Sequence, residues 1–171
     1  MKLPTLKQCF ELWNKYQMPE NIKRHSSQVA KVADAVAEHI EKQGVEINKE
    51  LINRGALLHD IAKIIAVNTN AEDKHATMGA EITEEENLGS EIAEIIRKHY
   101  LNNFNDECTI EELIVNYSDK RVINNRIVSL DERFEYIRNN YPKVAEEVEL
   151  YGERYTDFEK KYQLDQLELN D

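Results

Sequence analysis

Leu57-Leu58-His59-Asp60-Ile61-Ala62-Lys63 sets a histidine and a carboxylate side by side inside an otherwise apolar run. Burying an unpaired charge costs several kcal/mol. Either the segment is less buried than it reads, or the two groups are satisfied by one another or by a metal. The placement of the other histidines and acids along the chain favours the metal.

In 171 residues one domain with a sizeable core can form. Charged residues at 32%, with only five Gly and three Pro, give a helix-rich profile and predict an all-α globule. The formal charge of -11 opposes binding of long nucleic acid, which depends on Lys and Arg displacing phosphate counterions. A local basic pocket for a small phosphate ligand is compatible with it. Cys9 and Cys108 form no Cys-x-x-Cys pair and read as reduced thiols. Met1 to Tyr16 has no signal-peptide core and no later run approaches ~20 apolar residues, so the expected location is the cytoplasm, with no membrane contact.

Thr5 can cap a first helix to about Tyr16, after which Pro19 breaks the chain. A second helix is predicted from Glu20 to Gln43, closed by Gly44, with His25 on its apolar stripe. Asn48 can cap a third helix through about Ile65, which carries the His-Asp pair and is expected to be the central helix. His75 starts a short helix and shares its side with Met78, Gly79 and Ile82. His99 shares a face with Ile92, Ile95 and Ile96. Thr109-x-x-Glu112 is a capping-box pattern for a helix containing Val115, Asp119 and Val122.

Each position taken alone has an ordinary reading. His25 can be a core histidine, His75 a helix-start residue, His99 a dipole partner, and Asp119 an ion pair with Lys120. Six inward-facing polar groups nevertheless need partners, and one shared metal site supplies a partner for all of them. His39 is a control: 14 residues beyond His25 on the same helix, about 21 Å away, it cannot share the metal and reads as a solvent-facing residue beside Glu38.

The order His25, His59-Asp60, His75, His99, Asp119 resembles the HD-domain superfamily of metal-dependent phosphohydrolases, over about residues 20 to 126. The resemblance implies an HD-type helical bundle in which His25, His59, Asp60 and Asp119 bind one metal. His75 and His99 then hold a second, with Asp60 as the bridge. Imidazole and carboxylate donors suit Fe, Mn, Co, Ni or Zn better than magnesium. Two such ions about 3.5 to 4 Å apart can activate water and neutralise charge on both the attacking and the leaving oxygen of a phosphoryl group. The implied activity is hydrolysis of a phosphate ester or anhydride in a small nucleotide-like substrate.

Lys63 follows Asp60 by three residues, which on a helix places it on the ligand side. His59-Asp60-x-x-Lys63 is also similar to the pattern of bacterial symmetrical diadenosine-tetraphosphate hydrolases. Asp60 and Lys63 are therefore the expected catalytic residues, Lys63 contacting the substrate phosphate or leaving oxygen; a snorkelling surface lysine is the alternative. Arg24, Arg121 and Arg126 are further phosphate candidates. The Gly-Tyr-Pro signature of the cyclic-dinucleotide phosphodiesterase branch is missing; Asn140-Tyr141-Pro142 differs from it. Two other activities stay open: a di-iron oxygenase of the same superfamily and a non-catalytic, metal-stabilised ligand sensor.

Residues 1–128 are expected to form the HD-type domain and 129–171 a helical extension on the same globule. Leu130, Phe134, Ile137, Tyr141, Val144, Val148, Tyr151, Tyr155, Phe158 and Tyr162 form a helical seam. Ser129 can cap its start and Pro142 should divide it into helices of about 130–140 and 142–162. The seam is expected to pack on the chain's own body, with a homodimer seam or a cover over the metal cleft as alternatives.

Overall fold

The computed structural model describes residues 3–169. Thr5 caps α1 (Leu6–Lys15) through a complete capping box with Gln8. Pro19 precedes α2 (Glu20–Glu41), and Gly44 turns the chain away at φ +89°, where a side chain would be strained. The Asn48 side chain accepts from Leu51 N at 3.1 Å and starts α3 (Lys49–Leu58). There follow α4 (Lys63–Asn68), α5 (His75–Glu85), α6 (Ser90–Arg97) and α7 (Ile110–Asp119), the last opened by the expected Thr109–Glu112 capping box. A hairpin of β1 (Val122–Ile123) and β2 (Arg126–Ile127) leads to α8 (Leu130–Asn140) and α9 (Pro142–Lys161). The fold is all-α apart from that hairpin.

The apolar stripe of α2 (Val29, Val32, Val36, Ile40) is buried against α3 and α7, which contribute Leu51, Ile52, Leu58, Ile114 and Val115. α3 also crosses α6 closely, because Gly55 leaves room there. A Cβ at Gly55 would lie 2.7 Å from Ile95 Cγ2, so any other residue there forces the Ile95 side chain or the helices themselves to shift. Two buried faces of α3 explain why its sequence is apolar nearly all round.

α3 does not run to Ile65 as its sequence predicts. It stops at Leu58, His59 to Ala62 form turns, and α4 begins at Lys63. The break is tolerated because the last carbonyls of α3 find other partners. Ala56 O accepts from His59 Nδ1 at 2.7 Å, Leu57 O from Trp13 Nε1 at 2.8 Å, and Leu58 O from Ile61 N at 3.0 Å. Similarly, α6 ends at Arg97, two residues before the His99 expected on its apolar face, and Val122 belongs to β1 and not to the helix that presents Asp119. The hairpin turn uses Asn124 in the left-handed region, φ 56°, which Asn adopts more readily than most residues.

The tail divides at Pro142 as expected. Leu130, Phe134, Ile137, Val148, Tyr155 and Phe158 are buried, whereas Tyr141 is half exposed. Their partners lie in the body of the chain. The Tyr155 ring stacks on Phe104 with centroids 3.9 Å apart, and its hydroxyl donates to Asn116 Oδ1 at 2.7 Å. Tyr117 and Arg121 reach Glu159 at 2.6 and 3.0 Å. His39 is not solvent-facing: its Nε2 donates to Tyr162 O at 3.0 Å, beside Gln43 at 2.8 Å, and so closes the C-terminus of α9. No helix of the described residues is long and apolar enough to cross a membrane. Cys9 and Cys108 are unpaired, and burial pushes the Cys9 thiol up to about 11.

Tyr155→Ala should remove the stack, the hydrogen bond and a fully buried ring together, destabilising the fold by about 3 to 5 kcal/mol. Urea unfolding beside the parent chain measures it; a change below about 1 kcal/mol contradicts the packing described.

Candidate metal centre

Four imidazoles converge on Asp60, and each is oriented by a backbone carbonyl. The Nδ1 atoms of His25, His59, His75 and His99 lie 2.8, 2.7, 2.7 and 2.6 Å from Asn124 O, Ala56 O, Glu72 O and Ile96 O. A carbonyl oxygen only accepts, so Nδ1 carries a proton in all four, and Nε2 of each ring faces inward, with a lone pair there wherever the ring is neutral. Three of these carbonyls belong to the residue three positions earlier, where a helix or 3-10 turn has just ended. The fourth is supplied to His25, in the middle of α2, by the hairpin turn.

The inward atoms divide into two groups about the Asp60 carboxylate. Oδ2 faces His59 Nε2 at 3.5 Å and His25 Nε2 at 3.9 Å; Oδ1 faces His75 Nε2 at 3.4 Å and His99 Nε2 at 3.8 Å. Asp119 Oδ1 joins the first group, 3.0 Å from His25 Nε2 and 3.6 Å from His59 Nε2. Donor atoms around one ion with bonds of about 2.1 Å lie about 3.0 to 3.4 Å apart, close to these separations.

Two observations test whether the residues suit cations. His59 Nε2 and Asp60 Oδ1 are buried with no hydrogen-bond partner, the one pointing into the first group and the other into the second. His75 Nε2 and His99 Nε2 approach to 3.0 Å although both are lone-pair atoms in the tautomer their Nδ1 bonds impose. A shared cation removes both conflicts. The donor set fits divalent metal in both groups, His25/His59/Asp60 with Asp119 adjoining and Asp60/His75/His99.

Electrostatics point the same way. Burial, followed by the charges of His75 and His59, holds the His99 imidazole well below its usual value; burial also lowers His75, with Asp60 opposing. Both rings are thus neutral, as ligation requires. Burial pulls His59 down too, but the Asp60 and Asp119 carboxylates outweigh it and raise the group, so positive charge is favoured at Nε2. Burial would raise the two carboxyls; Lys63 and the histidines hold Asp60 well below the usual range, and Lys120 with His25 and His59 does the same for Asp119.

The expected Lys63 is at the centre, its Nζ 2.7 Å from Asp60 Oδ2 with the side chain partly exposed. Burial lowers its ammonium, the Asp60 and Asp119 charges raise it further, and Arg133 acts against them; the net direction is up. The three arginine candidates lie elsewhere. Arg24 is exposed on α2, Arg121 is held by Glu159, Tyr117 and Val128 O, and Arg126 pairs with Glu132.

Several supporting residues escaped sequence reasoning. Lys120 is buried, donating to Asp119 Oδ2 at 2.6 Å and to His99 O at 2.9 Å. Asn116 Nδ2 donates to Lys98 O at 2.7 Å and Tyr100 O at 2.9 Å, so all three carbonyls around His99 are engaged from α7. The Tyr100 hydroxyl donates to Asp73 O at 2.9 Å and accepts from Ala76 N at 3.2 Å, fixing the turn that carries His75. Asn116 in the last turn of α7 and Lys120 just past its end, four residues apart, were the available signal.

Metal analysis of folded variants checks the grouping. His59→Ala or Asp60→Ala should lose most of the bound transition metal, because Asp60 faces both groups. His75→Ala or His99→Ala should remove one ion preferentially and His25→Ala or Asp119→Ala the other. His39→Ala should change neither; full retention by Asp60→Ala contradicts its bridging position.

Residues 22–122 match the family model described as HD domain. A ribonuclease Y of Treponema denticola is 31% identical over 143 residues, 84% of this chain but 25% of that protein. A ribonuclease Y of Acetivibrio thermocellus is 36% identical over 81 residues, 47% of this chain and 14% of that protein. The uncharacterized protein MJ0778 of Methanocaldococcus jannaschii is 27% identical, covering 73% of this chain and 82% of its own length. The chain thus spans about a quarter or less of the two ribonucleases. No solved structure matches. With the matched segment running from α2 through β1 and enclosing all six converging side chains, the chain belongs to the HD domain family.

Proposed function

We propose that the protein is a cytoplasmic, metal-dependent phosphohydrolase acting on a phosphate ester or anhydride in a small nucleotide-like substrate. Two divalent transition metals (Fe, Mn, Co, Ni or Zn) are assigned to His25, His59, Asp60 and Asp119 and to Asp60, His75 and His99. The observation that carries the reading is the division of Asp60, one oxygen toward each pair of Nε2 lone pairs. Residues 1–128 act as the HD-type unit and 129–171 as its helical extension.

When bound, the metal pair supplies Lewis acidity and an activated water for attack on phosphorus. The chain's residues orient and neutralise. The four Nδ1–H to carbonyl bonds hold each ring at a fixed angle and tautomer. Lys120 keeps Asp119 ionised and in place. Lys63, its Nζ 2.7 Å from Asp60 Oδ2 and its side chain partly exposed, would set its ammonium against a phosphate or leaving-group oxygen, where negative charge grows in the transition state.

The His59-Asp60-x-x-Lys63 pattern supports a dinucleoside polyphosphate among the candidates. The similarity to proteins named ribonuclease Y supports a second substrate, a short oligoribonucleotide. The charge of -11 disfavours long RNA in either case.

A panel of nucleoside phosphates, dinucleoside polyphosphates, short oligoribonucleotides and p-nitrophenyl phosphoesters, run with Mn, Co, Ni and air-free Fe(II), tests the reading. Phosphate or phosphoester cleavage is expected from the parent chain. O2 consumption without cleavage would establish the oxygenase instead, and ligand binding without turnover the sensor. Lys63→Ala should keep its metal and lower kcat/KM on the best substrate by roughly 10 to 1,000-fold. Unchanged kcat/KM returns Lys63 to a surface ion pair.

A further inference from the structure

α8 carries a cation to the edge of the centre that the protein itself leaves without an anion. Arg133 is half-buried, its Nε is buried with no hydrogen-bond partner, and among the described residues no carboxylate forms an ion pair with its guanidinium. Its neighbours in the chain differ. Arg121, Arg126 and Arg138 are paired with Glu159, Glu132 and Glu149. In a chain this acidic the lack is specific: each of those three has a carboxylate partner, and Arg133 has none among the described residues.

The surroundings of Arg133 locate it. Its charge acts on both Lys63 and Lys120, the two lysines bonded to the ligand carboxylates Asp60 and Asp119. Its guanidinium lies 5.8 Å from the centroid of Tyr136, one helical turn on, and Tyr136 in turn feels the charge of Lys63. The Tyr136 ring is 6.0 Å from that of Tyr141, which is half exposed. Lys63 and Lys120 answer carboxylates of the protein. Arg133 adds a third positive charge to this side of the centre and answers none of the described carboxylates, so a bound anion would complete the arrangement. A guanidinium offers a planar fork suited to two phosphate oxygens, and the adjoining rings offer an aromatic face.

We propose that Arg133 is a substrate-phosphate ligand, acting beside Lys63, and that Tyr136 with Tyr141 forms the surface on which the base of the bound nucleotide stacks. The assignment rests on the phosphohydrolase reading and gives it a recognition element: a nucleoside phosphate, its phosphate toward Lys63 and Arg133 and its base toward α8. It also makes the C-terminal extension part of the site.

Calorimetric titration of the metal-loaded protein with inorganic phosphate and with AMP tests the assignment without requiring turnover. Arg133→Ala should weaken both about 10 to 100-fold, and Arg133→Lys should recover part of the loss by keeping the charge without the fork. Tyr136→Ala should weaken AMP about 10-fold and leave inorganic phosphate unchanged. On a hydrolysed nucleotide, Arg133→Ala should raise KM far more than it lowers kcat. If Arg133→Ala does not fold, Arg133→Gln, of similar reach, takes its place. Equal affinity of parent and folded Arg133 variants for phosphate and AMP overturns the assignment, as does a parent chain that binds neither. A parent chain that binds both yet cleaves no phosphoester overturns the proposed activity and leaves the recognition element standing.

Discussion

A backbone carbonyl oxygen can only accept a hydrogen bond, and each of the four histidines around Asp60 gives its Nδ1–H to one. That single constraint fixes a proton on Nδ1 of every ring and turns four Nε2 atoms into a volume that already contains two carboxylates. Two lone pairs 3.0 Å apart, those of His75 and His99 Nε2, repel one another. Lys63 and Lys120 neutralise part of this charge from the rim, each at one carboxylate. Neither lysine stands between His75 Nε2 and His99 Nε2, and it is there that a cation relieves the most.

The carbonyls come from places where helices stop. An α-helix leaves its last carbonyls without intrahelical partners, and His59 and His99 sit just past the ends of α3 and α6, where each takes the carbonyl three residues back. His75 does the same after the 3-10 turn Glu72–Lys74. One ring nitrogen therefore caps a helix end while the other serves as a donor to the centre. The break at His59 to Ala62 has the same origin: with Ala56, Leu57 and Leu58 carbonyls taken by His59, Trp13 and Ile61, continuing the helix would gain no hydrogen bond that is not already made.

Local chemistry was legible in the sequence and long-range chemistry was not. The caps at Thr5, Asn48, Thr109 and Ser129 and the division at Pro142 involve residues three or four apart, and all are present. The six converging residues were recognisable because each was polar on an apolar stripe, which does not depend on how the helices cross. The end of α3 was missed because its carbonyl partner, Trp13, is 44 residues away. His39 looked solvent-facing because its acceptor, Tyr162 O, is 123 residues away. The Asp119–Lys120 pair read equally well as a surface ion pair, and only its burial, with Lys120 Nζ donating to His99 O 21 residues away, distinguishes the two. Arg133 gave no periodic signal, since what sets it apart is a buried Nε with no partner among the described residues, although Asp131 and Glu132 precede it in the chain.

The tail is connected to the centre by hydrogen bonds as well as by apolar packing. Tyr155 on α9 donates to Asn116, and Asn116 holds the carbonyls of Lys98 and Tyr100 on either side of His99. Glu159 on the same helix binds Tyr117 and Arg121, which flank the Asp119–Lys120 pair. α9 thus braces α7 at the end that presents Asp119, and through α7 it braces His99. A ligand that binds only the assembled arrangement stabilises everything the arrangement requires, so occupation of the centre and docking of α9 must reinforce one another. Loosening α9 then weakens the hold on a cation bound through His99 or Asp119, even though no residue of α9 reaches it.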